Sequence, residues 1–62
     1  MFNLNDVVRI TCPRMTREGK MFPANTIGTI VEHQLVDADI HYYVVNLYGH
    51  VVVAREDMLV CA

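Results

Sequence analysis

Apolar positions in this chain concentrate between Ile40 and Ala54, in the stretch IHYYVVNLYGHVVVA. Eleven of these fifteen residues are apolar, and most are β-branched or aromatic. Such residues fit a pleated, packed surface, and Gly49 interrupts the run, so a helix is excluded. The pattern predicts two strands, Ile40–Leu47 and Val51–Ala54, joined by a tight turn at Tyr48, Gly49 and His50. Side chains alternate across a strand. Tyr43, Val45 and Leu47 therefore form the expected inner face, and His41, Tyr42, Val44 and Asn46 the outer one. In the second strand Val52 is expected to point outward.

The same reading extends to both sides. Asn5 and Asp6 mark a turn, and Val7 to Cys12 follows as a strand with Val8 and Ile10 facing a core. Pro13 cannot donate to a ladder and ends that strand. Pro13 to Thr26 reads as a long polar loop carrying Arg14, Arg17, Glu18 and Lys20, punctuated by Gly19 and Pro23. Loops of this length are often functional. Phe22 is expected to tuck back over the core or to meet a partner. Ile27 to His33 predicts another strand, in which Gly28 marks a bulge, a bend or a close backbone approach. Gln34 to Asp39 reads as a hairpin loop. Arg55, Glu56 and Asp57 suit one turn of 3₁₀-helix, and Met58 to Cys61 a short last strand. The expectation is one all-β domain over residues 1–62: a small, bent, five-stranded antiparallel barrel with a long first loop and a 3₁₀ turn before the last strand. Closing a sheet in this way removes exposed edges.

The motifs come in the order Asp6-Val7-Val8, Gly28-Thr29-Ile30-Val31-Glu32, Tyr43-x-Val45-x-Leu47, Gly49, Asp57-Met58-Leu59. This order resembles the SH3-like barrel proteins of bacteria. It is similar in particular to a family of small stand-alone bacterial domains of unknown function, with the pattern D-V-V, G-T-V-V-E, Y-x-V-x-F and D-x-L. The resemblance spans nearly the whole chain and implies an SH3-like barrel, but its motifs are structural and imply no activity. A plasmid-borne, tetrameric dihydrofolate reductase has a similar barrel. Its active pore uses a Val-Gln-Ile-Tyr segment in the fourth-strand region, where this chain has Val51-Val52-Val53-Ala54, so that activity is not carried over.

Composition sharpens the picture. The hydrophobic fraction is 53%, above the usual ~45–50%. A domain this short buries only about 60% of the surface its unfolded chain exposes. Part of the apolar excess is therefore expected to meet another chain. The net charge of −2, from five basic and seven acidic residues, argues against a dedicated nucleic-acid binder and against a polybasic membrane anchor. No apolar run approaches the ~20 residues that span a bilayer, and the N-terminus has no signal-peptide pattern. Cys12 and Cys61 are too few for a secreted disulfide scaffold, so a reduced, cytoplasmic setting is expected.

The candidate chemistry is sparse. His33 and His41 flank the predicted hairpin loop and could meet across two strands, near Asp37 or Asp39. The spacings of eight and nine between His33, His41 and His50 match no zinc signature. No metal or other cofactor is expected. The acidic pairs Asp37/Asp39 and Glu56/Asp57 fall in turns, where such residues bond locally to the backbone. No catalytic residues are assigned. Arg9, Arg14, Arg17 and Lys20 could grip phosphates with Phe22 or Tyr42 stacking a base, which is the alternative, nucleic-acid-associated use of the loop. A further alternative is a small enzyme whose site forms at an oligomer axis, with His50 and Asn46 as pore candidates. The leading expectation is a non-enzymatic binding module. Its contact residues are Tyr42, Val44, Val52 and Tyr48 on the hairpin and Arg14, Arg17 and Phe22 in the loop. Its partner is a second copy of the chain or another protein, because an apolar outer face on a strand pair marks an interaction surface.

Overall fold

A computed structural model describes all residues, Met1–Ala62. The chain is all-β. Its strands are β1 (Val7–Ile10), β2 (Arg14–Met15), β3 (Met21–Phe22), β4 (Ile27–Asp37), β5 (Ile40–Leu47), β6 (His50–Arg55) and β7 (Leu59–Cys61), with a 3₁₀ turn at Glu56–Met58. Five of the strands form one antiparallel sheet in the order β6-β5-β4-β1-β7, and β2 and β3 form a separate two-stranded ribbon. The sheet does not close on itself. β7 is three residues long and pairs only with β1, and β6, at the other end, pairs only with β5.

The core is the inner face read from the alternation. Val8, Ile10, Ile30, Tyr43, Val45, Leu47, Val52, Ala54 and Leu59 are buried together with Phe22, and Phe2 and Met58 pack against them. Phe22 reaches this cluster from the ribbon, so the loop aromatic does tuck back. Val52 is a correction: it lies in the core, and its neighbours Val51 and Val53 point outward. The cause is the length of the turn. Only Tyr48 and Gly49 separate the paired residues Leu47 and His50. With two turn residues rather than three, Val52 stands opposite Val45 and shares its face. Tyr48 and Gly49 both have positive φ, 54° and 88°, as a tight turn matched to the strand twist requires. Tyrosine adopts this left-handed conformation at a cost of roughly 1 kcal/mol.

Two other expectations change. The stretch from Pro13 to Thr26 is not all loop, because Arg14 pairs with Phe22 and Met15 with Met21. Thr16, buried, holds the intervening turn: its hydroxyl accepts the Lys20 N–H at 3.0 Å. The second hairpin is longer than the sequence suggests. β4 runs to Asp37, which pairs with Ile40, and two register shifts absorb Val31 and Val36 as bulges. The expected strand ended at His33, and the extension is Gln34-Leu35-Val36-Asp37. It is stranded because β5 supplies partners for it: Tyr42, His41 and Ile40.

Gly28 sits where β4 passes closest to β5. A Cβ there would lie 2.5 Å from the Asn46 carbonyl oxygen, 2.6 Å from a Leu47 methyl and 2.9 Å from a Val45 methyl. The first is backbone and cannot step aside. Gly28→Ala is expected to destabilise the fold by about 3 kcal/mol, read as a fall in urea midpoint by circular dichroism. A variant as stable as the wild type would show that the sheet relaxes there freely.

Candidate functional site

The residues singled out from the sequence fall into two groups and one exception. Arg14, Arg17, Phe22 and Tyr48 gather at one end of the molecule, where the ribbon meets the β5–β6 turn. Tyr42 and Val44 lie on the outer face of β5. Val52 is in the core.

At the ribbon end Phe22 is buried, and its ring faces the exposed Tyr48 ring at 6.4 Å and 15°. His50 packs on the same ring at 5.6 Å, and the Lys20 ammonium lies 5.8 Å from its centre. Glu18 approaches His50 Nδ1 at 3.8 Å. Arg14 is not free to grip a ligand. Its guanidinium donates to the Val53 carbonyl oxygen, on the edge of β6 away from β5, and lies 3.7 Å from the Met58 sulfur. It holds the ribbon to the sheet. Arg17 and Lys20 are the exposed cations left at this end.

On the outer face, cross-strand pairing fixes which side chains adjoin. Val44 stands opposite Val53, Asn46 opposite Val51, and Tyr42 opposite Arg55. Val51 and Val53 are 61% and 46% exposed, and Val44 is half-buried. On the β4 side the patch meets Thr29, Glu32 and Gln34, which gives it a polar border. The sequence reading missed Val51 and Val53 through the turn length alone.

The opposite end holds a shallow pocket of about 270 Å³, lined by Asp39, Ile40, His41, Arg55, Glu56 and Asp57. Most of its polar groups are already engaged. Arg55 donates two hydrogen bonds to Asp57, at 3.3 and 2.7 Å, and this pairing holds the Asp57 carboxyl below the usual carboxylate range. Glu56 accepts from the Tyr43 hydroxyl at 2.9 Å and lies 3.7 Å from the Met1 amino group. Glu56 and Asp57 thus bond side chains rather than the local backbone as expected for turn residues, whereas Asp37 does accept from the Ala38 N–H at 2.7 Å. His33 and His41 do meet across the strands, with His33 Nε2 2.8 Å from His41 Nδ1; His41 therefore shares the face of Tyr43, two residues on, and not the outer face expected for it. No group of three or more His, Cys, Asp or Glu side chains is gathered as a metal would need. Cys12 and Cys61 are both free thiols, and Cys61 stands opposite Val8.

Comparison with protein-family models, curated proteins and solved structures finds no match to this chain. No helix is long and apolar enough to cross a membrane.

Tyr43 links these features. Its hydroxyl accepts the Phe2 N–H at 3.1 Å while donating to Glu56, and its ring meets Phe2 edge-on at 5.4 Å. Burial pushes the hydroxyl pKa above 10.0, and Glu56 pushes it the same way against the opposing Phe2 N–H. A pKa raised by folding means that the neutral form is the one folding favours. The stabilisation is present below the unfolded value of about 10 and is lost as pH rises through the higher folded value. Tyr43→Phe is expected to cost about 1–2 kcal/mol near neutral pH. Its deficit against the wild type should shrink between pH 9 and pH 11 in urea titrations (~10 being the tyrosine value). An equal deficit at both pH values would mean that the hydroxyl contributes nothing through its proton.

Proposed function

We propose that this chain is a non-enzymatic binding module built as an SH3-like barrel, and that it binds a second copy of itself through the outer face of β5 and β6. The strand order β6-β5-β4-β1-β7, the ribbon within the first connection and the 3₁₀ turn before the last strand support the barrel reading. The ribbon is tied to β6 by Arg14, which donates to the Val53 carbonyl oxygen.

The observation that carries the binding reading is the contiguous patch of Val44, Val51 and Val53 with its polar border. A strand face exposed to water is ordinarily polar, and an apolar patch with a polar rim is the anatomy of an interface. Tyr42 sits at its margin. A second copy is the simplest partner, because a two-fold contact covers the same patch on both chains. The core adds weight. Ten buried apolar residues with two free thiols make a small fold without a disulfide, and domains of this size commonly draw stability from a partner.

The test is solution mass by light scattering for the wild type and for Val53→Glu, with circular dichroism as a check on folding. The wild type should exceed the monomer mass of 7.1 kDa, and Val53→Glu should be a folded monomer. A wild type that runs as a 7.1 kDa monomer at high micromolar concentration would overturn the self-association reading.

A further inference from the structure

The β4–β5 hairpin outruns the sheet that supports it. β1 last pairs with β4 at Thr29, and β6 last pairs with β5 at Tyr42. Beyond those points the two strands pair only with each other, and every residue from Val31 to Ile40 is exposed. Two bulges interrupt this arm. A two-stranded ribbon alone in water is marginal, so its order depends on cross-strand side-chain contacts.

One set of contacts runs along the arm on the core side. Tyr43 is fixed at the base by burial, Phe2 and Glu56. The His33 ring lies parallel to the Tyr43 ring, with centres 4.8 Å apart and 14° between planes. His41 meets His33 in a different way. Their ring centres are 5.0 Å apart, their planes differ by 16°, and the facing nitrogens are 2.8 Å apart. Two imidazoles joined end to end by a hydrogen bond of ordinary length have ring centres about 5 Å apart. The rings are therefore nearly coplanar and head to head, with both nitrogens aimed into one gap.

That gap holds one proton. A hydrogen bond between two imidazole nitrogens needs one N–H and one bare nitrogen. The requirement is met when both rings are neutral, or when one of them carries a second proton. When both are doubly protonated, two N–H groups face each other between two cations and the bond is lost. We infer that His33 and His41 form a proton-dependent clasp that holds the β4–β5 arm while at least one ring is neutral and releases it when both rings become charged.

The surrounding charges do not remove this constraint. On β6, Arg55 is committed to Asp57. On the 3₁₀ turn, Glu56 is engaged by Tyr43 and lies near the Met1 amino group, and Asp57 faces the pocket beside His41. In the hairpin turn, Asp39 lines the same pocket and Asp37 caps Ala38. Glu32 pairs with Val44 on the other face of the sheet. None of these carboxylates stands between the two facing nitrogens, which are already in hydrogen-bond contact. Release would free the segment that bears Leu35, Val36 and Ile40, which are 59%, 65% and 40% exposed.

Nitrogen-15 NMR on the full chain tests the clasp. At neutral pH, His33 Nε2 and His41 Nδ1 should appear as one protonated and one bare nitrogen, with scalar coupling across the hydrogen bond. On acidification until both rings are charged, the coupling should vanish. Amide-exchange protection from His33 to His41 should then fall about fivefold, the loss of one net hydrogen bond, while Ile30 and Val45 keep theirs. In His41→Phe the arm should show the low protection at every pH. Absence of the coupling at neutral pH, or arm protection in His41→Phe equal to that of the wild type, would overturn the inference.

Discussion

The close approach of β4 to β5 at Gly28 is the constraint on which this fold rests. With the Asn46 carbonyl oxygen 2.5 Å from where a Cβ would stand, the two strands come nearer than any side chain on β4 would allow. Gly28 also stands opposite Val8 in β1. A residue without a side chain thus lies between β1 and β5 and lets both turn their inner faces toward each other. Val8, Val45 and Leu47 are fully buried as a result. The long β4 then serves two purposes. Its first part belongs to the core, and its second, past Ile30, leaves the sheet as an arm. Tyr43 stands at the junction, buried below and stacked on His33 above.

A sheet bent this tightly over ten residues has little interior and much outside. Among the apolar residues that the core does not take, Val51 and Val53 adjoin the half-buried Val44 in the middle of one face, Leu35, Val36 and Ile40 share the arm, and others such as Val7, Ile27 and Val60 lie elsewhere on the surface. Charge is divided as well. β5 runs from the arm to the Tyr48–Gly49 turn, so its two ends are the two ends of the hairpin. Glu32, Asp37 and Asp39 lie on the arm, with Glu56, Asp57 and the cation Arg55, paired to Asp57, beside its pocket. Arg14, Arg17 and Lys20 lie on the ribbon at the other end, against Glu18 alone. A net charge of −2 hides this separation.

Much of the fold was legible because its signals are local. The alternation of Tyr43, Val45 and Leu47, the turn around Gly49 and the special role of Gly28 all follow from single residues or a period of two, whereas β1 stops at Ile10, short of the expected end before Pro13. The errors came where geometry between strands decides. A turn counted as three residues instead of two turned Val52 outward and hid Val51 and Val53, since a slip of one residue exchanges the faces of a strand. The arm was unreadable past His33 because its polar residues are ordered by their partners on β5, not by their own propensity. Arg14 looked like a free cation because no pattern in the sequence brings it to the Val53 carbonyl. The meeting of His33 and His41 was expected from their places beside one hairpin, but the end-to-end contact depends on the register that the bulge at Val31 sets. The pocket escaped notice for the same reason, since its carboxylates come from two turns far apart in sequence.

The proposed two-fold contact has a geometric consequence for the rest of the surface. A patch centred on Val44 and Val53 lies midway along β5 and β6, so a symmetric pair would cover the centre of each hairpin and leave both of its ends uncovered. A tyrosine at positive φ, as Tyr48 is, is worse for the turn than asparagine or glycine, and its ring, 78% exposed, is held on the protein by its contact with Phe22. In such a pair the ribbon ends and the acidic arms would each be presented twice. Weak contacts at either end would then act together, as linked binding sites do, and a domain with so small a core would gain both stability and reach from the same apolar face.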